Sequence, residues 1–228
     1  MKQCFPLPLV SGSPNSEKET VILIHGMMRT GRSMRRVGEF LAQYDYNIVN
    51  CSYESTKTVN EITDELFEAL APFIEIAPKV HFVTHSLGGI ILRNAFKDKV
   101  PPNMGNVVMH GPPNKGCQHI NHFSWLPFFS YIWGKPAKEL GTSPKGVPNQ
   151  LPPINFHCGV IAGTKKGTLG LLLPGPNDGK VTVSNTWTEG VAERLVLPLN
   201  HTFMMKDSVA MENTAYFLKH GKFLTTNQ

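Results

Sequence analysis

The chain has 228 residues, 41% hydrophobic and 17% charged, enough for one large domain that buries ~70% or more of the surface its unfolded form exposes. That composition excludes a disordered chain, and no apolar run approaches the ~20 residues a membrane span needs. Lysine and arginine exceed the acids by 22 to 17, a formal charge of +5 that is too diffuse to indicate nucleic acid.

Cys4, Cys51, Cys117 and Cys158 lie far apart with no CxxC pair, so the spacing suits neither a zinc ribbon nor a disulfide framework. Residues 1–20 are expected to form a flexible lead-in. Pro6 and Pro8 break any signal-like apolar stretch, and Ser11 to Thr20 is polar with glycine and proline. As written, the chain is expected to be cytoplasmic; the alternative is a secreted or periplasmic protein whose export signal has been removed. Residues 21–228 read as a single domain.

In chain order, Val21-Ile22-Leu23-Ile24 is a continuous apolar run ending in His25-Gly26, the pattern of a strand covered on both faces. Between Ser33 and Tyr44, the residues Met34, Val37, Phe40 and Leu41 recur at helical spacing. A strand over Tyr46 to Tyr53 follows. Asn60 to Ile76 then places Ile62, Leu66, Phe67, Leu70 and Phe73 on one helical face. Val80 to Val83 is a third strand, running into Thr84-His85-Ser86-Leu87-Gly88-Gly89 and a helix to Phe96. Val107 to Met109, Phe156 to Ala162 and Leu195 to Leu199 are further strands, and Lys206 to His220 is a closing helix. Strand and helix in alternation predict an α/β fold with a mostly parallel sheet.

One segment departs from this rhythm. Residues 115–153 hold several prolines and concentrate Phe123, Trp125, Phe128, Phe129, Tyr131 and Trp133. A connection this long is uncommon unless functional, so it reads as a cap or lid over the end of the sheet. A helix packed into the core is the competing reading.

Ser86 occupies the turn between an apolar strand and a helix, the setting of a nucleophile elbow. A serine hydroxyl attacks poorly until a base takes its proton, and the base needs an acid to orient it. His201 is the histidine that comes late, directly after an apolar strand. Between Ser86 and His201 the acids are Asp98, Glu139, Asp178, Glu189 and Glu193. Asp178, in the polar turn Pro176-Asn177-Asp178-Gly179, is the candidate, with Glu189 next. The competing roles are a helix cap for Ser86, a cap for His201 and an Asx turn for Asp178. Two backbone donors for a developing oxyanion are expected from Leu87, after the serine, and from Met27, after the first strand.

His25-Gly26, the Thr84 to Gly89 elbow, Gly111-Pro-Pro-Asn-Lys-Gly116, Asn177-Asp178-Gly179-Lys-Val181 and Asn200-His201-Thr202 together resemble the α/β-hydrolase superfamily. Within it they resemble small bacterial lipase-like esterases related to the triacylglycerol lipase and GPI-inositol deacylase groups. The resemblance runs from about Val21 to the C-terminus and implies Ser86 as nucleophile, His201 as base and Asp178 as acid, with Met27 and Leu87 as oxyanion donors. Thr84 stands where that family's elbow has glycine.

A carboxylic esterase or lipase acting on short-to-medium acyl chains is the expected activity, needing no cofactor and no metal. Met28, Phe123, Trp125, Phe128 and Phe129 are candidates for an apolar substrate pocket. An acyltransferase or thioesterase on the same three residues, an amidase, and a non-catalytic relative are the alternatives. Expected partners are an ester or lipid substrate and a transient lipid interface, with a monomer favoured and no nucleic acid. Arg29, Arg32, Arg35 and Arg36 follow the first strand; they read either as a solvated basic face or as a holder for a phosphate or carboxylate. Cys117, His119 and His122 have a spacing that a metal could use, against the plainer reading of an ordinary polar loop.

Overall fold

A computed structural model describes residues 8–123 and 135–224 of the chain. The strands are β1 (Leu9–Ser11), β2 (Thr20–Ile24), β3 (Asn47–Ser52), β4 (Val80–His85), β5 (Met104–His110), β6 (Cys158–Gly163) and β7 (Glu193–Leu197). They form one sheet in the order β1-β3-β2-β4-β5-β6-β7. All neighbours run parallel except β1, which pairs antiparallel to β3. The helices are α1 (Arg35–Leu41), α2 (Val59–Ile76), α3 (Leu87–Ala95), α4 (Gln118–Phe123), α5 (Lys135–Glu139), α6 (Val147–Gln150), α7 (Val183–Thr186) and α8 (Ser208–His220).

The two-residue period of β2 divides its side chains between two apolar layers. Ile22 and Ile24 join Leu66, Leu70, Phe82 and Ile90 on the face covered by α2 and α3. Val21 and Leu23 join Val37, Leu41, Val83 and Phe217 on the face covered by α1 and α8. β2, β4 and β6 are buried at every position, which is why their sequences are continuously rather than alternately apolar. Local signals set the helix ends. Thr58 and Glu61 form a reciprocal capping box at the start of α2, and Asp207 accepts from Ala210 N–H (3.1 Å) at the start of α8. Gly221, at φ 72°, closes α8 in the left-handed conformation.

Three expectations shift. The lead-in contains an edge strand: Leu9–Ser11 pairs with Asn50–Ser52, and the chain leaves it at Gly12, where a Cβ would come within 2.7 Å of the Ile48 carbonyl. Three residues are too short a run to show a period. β5 starts at Met104, three residues before the apolar triplet that announced it, because its first half is only half-buried. β7 runs over Glu193–Leu197, two residues earlier than the expected Leu195 to Leu199.

Of the 115–153 segment, the described flanks are anchored to the body. Ile120, Ala137 and Leu140 belong to the core on the α2–α3 face. Arg93 of α3 donates to the carbonyls of Leu151 (3.4 Å) and Pro152 (3.2 Å). Trp125, Phe128, Phe129, Tyr131 and Trp133 lie outside the described residues, as does the side chain of Phe123. Among the described residues no helix is long and apolar enough to cross a membrane.

Candidate active site

Parallel strands deliver their C-terminal ends to one edge of the sheet, and the loops there are where sites form. Ser86 sits between β4 and α3 at φ 52°, ψ −119°, a conformation that costs a non-glycine residue ~1–3 kcal/mol and persists only where its surroundings impose it. Two contacts impose it. Ser86 N–H donates to the His110 carbonyl at 2.9 Å, and Gly88 lets α3 come so close to β2 that a Cβ there would stand 2.5 Å from the Ile24 carbonyl oxygen. Thr84, where the resembled family has glycine, is fully buried, and its hydroxyl has no hydrogen-bond partner.

Asp178 lies in the tight turn between β6 and α7, closed by Asp178 N–H to the Val181 carbonyl (3.2 Å) and by Gly179 at φ 98°. Its carboxylate is fully buried and both oxygens are engaged. Oδ1 accepts from the N–H groups of Lys180 (2.9 Å) and Val181 (2.8 Å), and Oδ2 meets His201 Nδ1 at 2.7 Å. The Asp178 carbonyl accepts from His201 N–H at 2.9 Å and from Asn200 Nδ2 at 3.2 Å. The bond at Nδ1 assigns a proton there and leaves Nε2 as the ring nitrogen not engaged by Asp178. Thus the loops after β6 and β7 are clamped together through one acid.

His201 is in turn seated beside β4, the strand that leads into Ser86. Its ring lies 4.9 Å, centroid to centroid, from that of His85, the residue before Ser86, and its carbonyl accepts from His85 Nε2 at 2.9 Å. Burial, and then the proximity of His201, hold His85 well below the ordinary histidine range, so it is a neutral donor. His85 therefore sets the Asp178–His201 pair beside the end of the strand that leads into Ser86. Asn114, after β5, is committed elsewhere: it accepts from Arg93 (3.2 Å) and donates to the Thr186 carbonyl (2.9 Å).

The turn after β2 passes directly over the serine. A Cβ on Gly26 would stand 3.0 Å from Ser86 Cβ and 2.8 Å from His85 Nδ1, so glycine is needed there for the close approach. Met27 follows, packed partly against the core. Met28 turns outward at φ 56°, 54% exposed, with its N–H taken by Ser55 Oγ at 2.9 Å. Leu87 is the first residue of α3, where the helix supplies no acceptor for its N–H.

Tyr53, which the sequence did not single out, holds this turn through His25. His25 stacks on Tyr53 (centroids 4.0 Å, planes 4° apart), and Tyr53 Oη donates to the His25 carbonyl at 2.6 Å. His25 Nδ1 donates to the Gly26 carbonyl (2.8 Å) and Nε2 accepts Tyr53 N–H (3.2 Å), with burial pulling the ring's pKa down to about 4. Cys117 donates its thiol to the Lys180 carbonyl (3.3 Å), while the side chain of His122 lies outside the described residues.

No family model matches the chain, and no curated protein matches it in sequence. Solved structures do match in shape. The mature form of Bacillus licheniformis lipase BlEst2 superimposes with a TM-score of 0.67 at 17% identity, covering 92% of this chain and 95% of that one. The fold is that of the α/β-hydrolases. Aspergillus fumigatus lipase B has a TM-score of 0.70 at 13% identity, over 94% of this chain and 57% of its own. A lipase-esterase related protein from Clostridium acetobutylicum has 0.55 at 16%, over 94% and 99%. At these identities the likeness is one of fold.

Proposed function

We propose that the protein is a serine hydrolase that cleaves carboxylic esters through an acyl-enzyme, with Ser86 as nucleophile, His201 as base and Asp178 as the orienting acid. The observation that carries this reading is the Asp178–His201 bond of 2.7 Å set beside a serine held in a strained turn. Asp178 keeps the proton on Nδ1, so Nε2 takes the hydroxyl proton as Ser86 Oγ attacks the ester carbonyl. Negative charge develops on the carbonyl oxygen, facing the N–H groups of Met27 and Leu87, the second at the positive end of α3. His201 returns the proton to the departing alcohol, and water then releases the acid by the same route in reverse.

An apolar acyl group and a lipid-like ester suit the rim of the site. Phe203, two residues past His201, is 61% exposed, and Leu171 and Leu172, in the loop leading to Asp178, are 75% and 57% exposed. Together with Met28 they present apolar surface on loops at the edge of the sheet that holds Ser86. The names of the structural neighbours, lipases and a lipase-esterase relative, support the same class. The test is hydrolysis of p-nitrophenyl esters from acetyl to palmitoyl, with Ser86→Ala alongside. Turnover that vanishes in the variant and peaks at short-to-medium chains is expected; turnover unchanged in Ser86→Ala would overturn the mechanism.

A further inference from the structure

Beside the turn that follows β2 lies a cavity of about 490 Å³, five of whose eight lining residues are cations. Arg29, Arg32 and Arg36 come from the segment after Met28, and Lys206 comes from the loop that carries His201. The cavity is therefore built between the two loops that carry Met27 and His201. Arg35, also lining it, is the one arginine of this group with an ion pair, an exposed 3.5 Å contact to Glu39. Among the described residues no carboxylate lies within ion-pair distance of Arg29, Arg32, Arg36 or Lys206. A solvated basic helix face would disperse its charges along the helix and interleave acids. Here charges from separate elements converge on one concavity and stay unneutralised.

The cavity is close to the chemistry. Gly26 touches Ser86, and the three residues from Gly26 to Arg29 reach at most about 11 Å even fully extended. Met28, one of the few non-glycine residues at positive φ, forms the wall between the oxyanion turn and the arginines. Its strained backbone turns the chain from one site into the other. Four unneutralised cations exceed what the two oxygens of a carboxylate engage, but they match a phosphate, which offers three free oxygens to guanidinium forks. Lys180, beside Asp178, has its pKa lowered by desolvation and then by the charge of Arg29, so the positive field extends toward the site.

We infer that this cavity binds the phosphate of a substrate in which the esterified alcohol also carries a phosphate group, of the acylglycerol phosphate type. The inference rests on the ester-hydrolase reading and narrows its substrate. The acyl chain would lie along the apolar rim while the phosphate sits between Arg29, Arg32, Arg36 and Lys206, orienting the ester over Ser86. The phosphate can reach the cavity as a soluble phosphoester or as a lipid headgroup at a membrane.

The experiment compares kcat/KM for monobutyrylglycerol and its 3-phosphate in solution. In a second arm it compares diacylglycerol and phosphatidic acid carried in phosphatidylcholine vesicles. The wild type, the Arg32→Gln/Arg36→Gln double variant and Lys206→Gln are measured in both arms. Preference for the phosphorylated ester is expected to fall about tenfold in the double variant and less in Lys206→Gln, and to shrink as salt rises. A preference in the soluble arm identifies a soluble phosphoester; one confined to vesicles, and lost in the variants, identifies a headgroup. A phosphate preference identical in wild type and variants in both arms overturns the inference while leaving the ester-hydrolase reading intact. If no ester is turned over and Ser86 resists fluorophosphonate, that reading fails instead. The cavity is then tested by calorimetry with inorganic phosphate, where binding weakened in the double variant supports the site and absence of binding to wild type overturns it.

Discussion

Asp178 holds His201 twice, side chain to side chain at Nδ1 and carbonyl to N–H, so that one acidic residue fixes both the ring and the backbone of the histidine. Asp178→Asn keeps the shape but offers an amide where a carboxylate accepted, favouring the wrong tautomer of His201. We expect kcat to fall ~10³- to 10⁴-fold with little change in KM, as in the serine-protease case where this substitution is known. Asp178→Ala adds a stability cost of ~1–3 kcal/mol, because the buried N–H of Val181 and the part-buried N–H of Lys180 lose their acceptor. Steady-state kinetics and thermal melts separate the two effects.

His85 acts on His201 from the other side, through the 2.9 Å bond to its carbonyl. Because it is buried, it acts in the proposed mechanism through His201, as a positioning residue. His85→Ala removes that donor and opens a cavity beneath the site, for an expected cost of ~2–4 kcal/mol in stability and a fall in kcat on the order of 10²-fold. His85→Gln, which can still donate, is expected to recover part of the kcat. Equal kcat in the two variants would show that the bond has no positioning role.

Gly111 stands where a side chain would wedge the acid–base pair apart. Its φ is 55°, and a Cβ would lie 3.1 Å from both Asp178 Oδ2 and His201 Nδ1. Gly111→Ala therefore combines backbone strain of ~1–2 kcal/mol with a displaced imidazole. Loss of activity on the order of 10²-fold at a melting temperature only a few degrees lower is the expected outcome.

Acid should unfold the protein earlier than its carboxylates alone would dictate. Burial lowers His25 and His110 from 6.5 to about 4, and holds His85 well below the ordinary histidine range. Each is neutral in the fold and protonates in the unfolded chain below pH 6.5. Their contribution to stability is thus complete above pH 6.5 and is lost as pH falls toward 4, at about 3 kcal/mol each for His25 and His110. Circular-dichroism melts from pH 7.5 to 4 should show a steep fall below pH 6. A flat profile across that range would contradict neutral buried histidines.

Much of this was legible in the sequence because it is local. Continuous apolarity in Val21 to Ile24 and Val80 to Val83 reported strands buried on both faces, and the Thr84 to Gly89 turn reported itself by its place between strand and helix. Asp178 and His201 stood out as candidates by chain order and by the loops they occupy. The rest depends on contacts between distant segments. Tyr53 stacking on His25 and His85 bonding the His201 carbonyl join residues 28 and 116 apart, and no periodicity carries that information. The arginines were visible as a cluster, but Lys206, which closes the cavity, lies 170 residues beyond Arg36. The three-residue strand Leu9–Ser11 gave too little pattern to separate it from a loop.

The most direct test of the central claim is labelling of the folded protein with a fluorophosphonate probe, followed by peptide mapping. Stoichiometric modification at Ser86, slowed by orders of magnitude in Asp178→Asn and His201→Ala, is the result this account predicts. Modification at another residue, or none at Ser86 in a folded and otherwise intact protein, would contradict it.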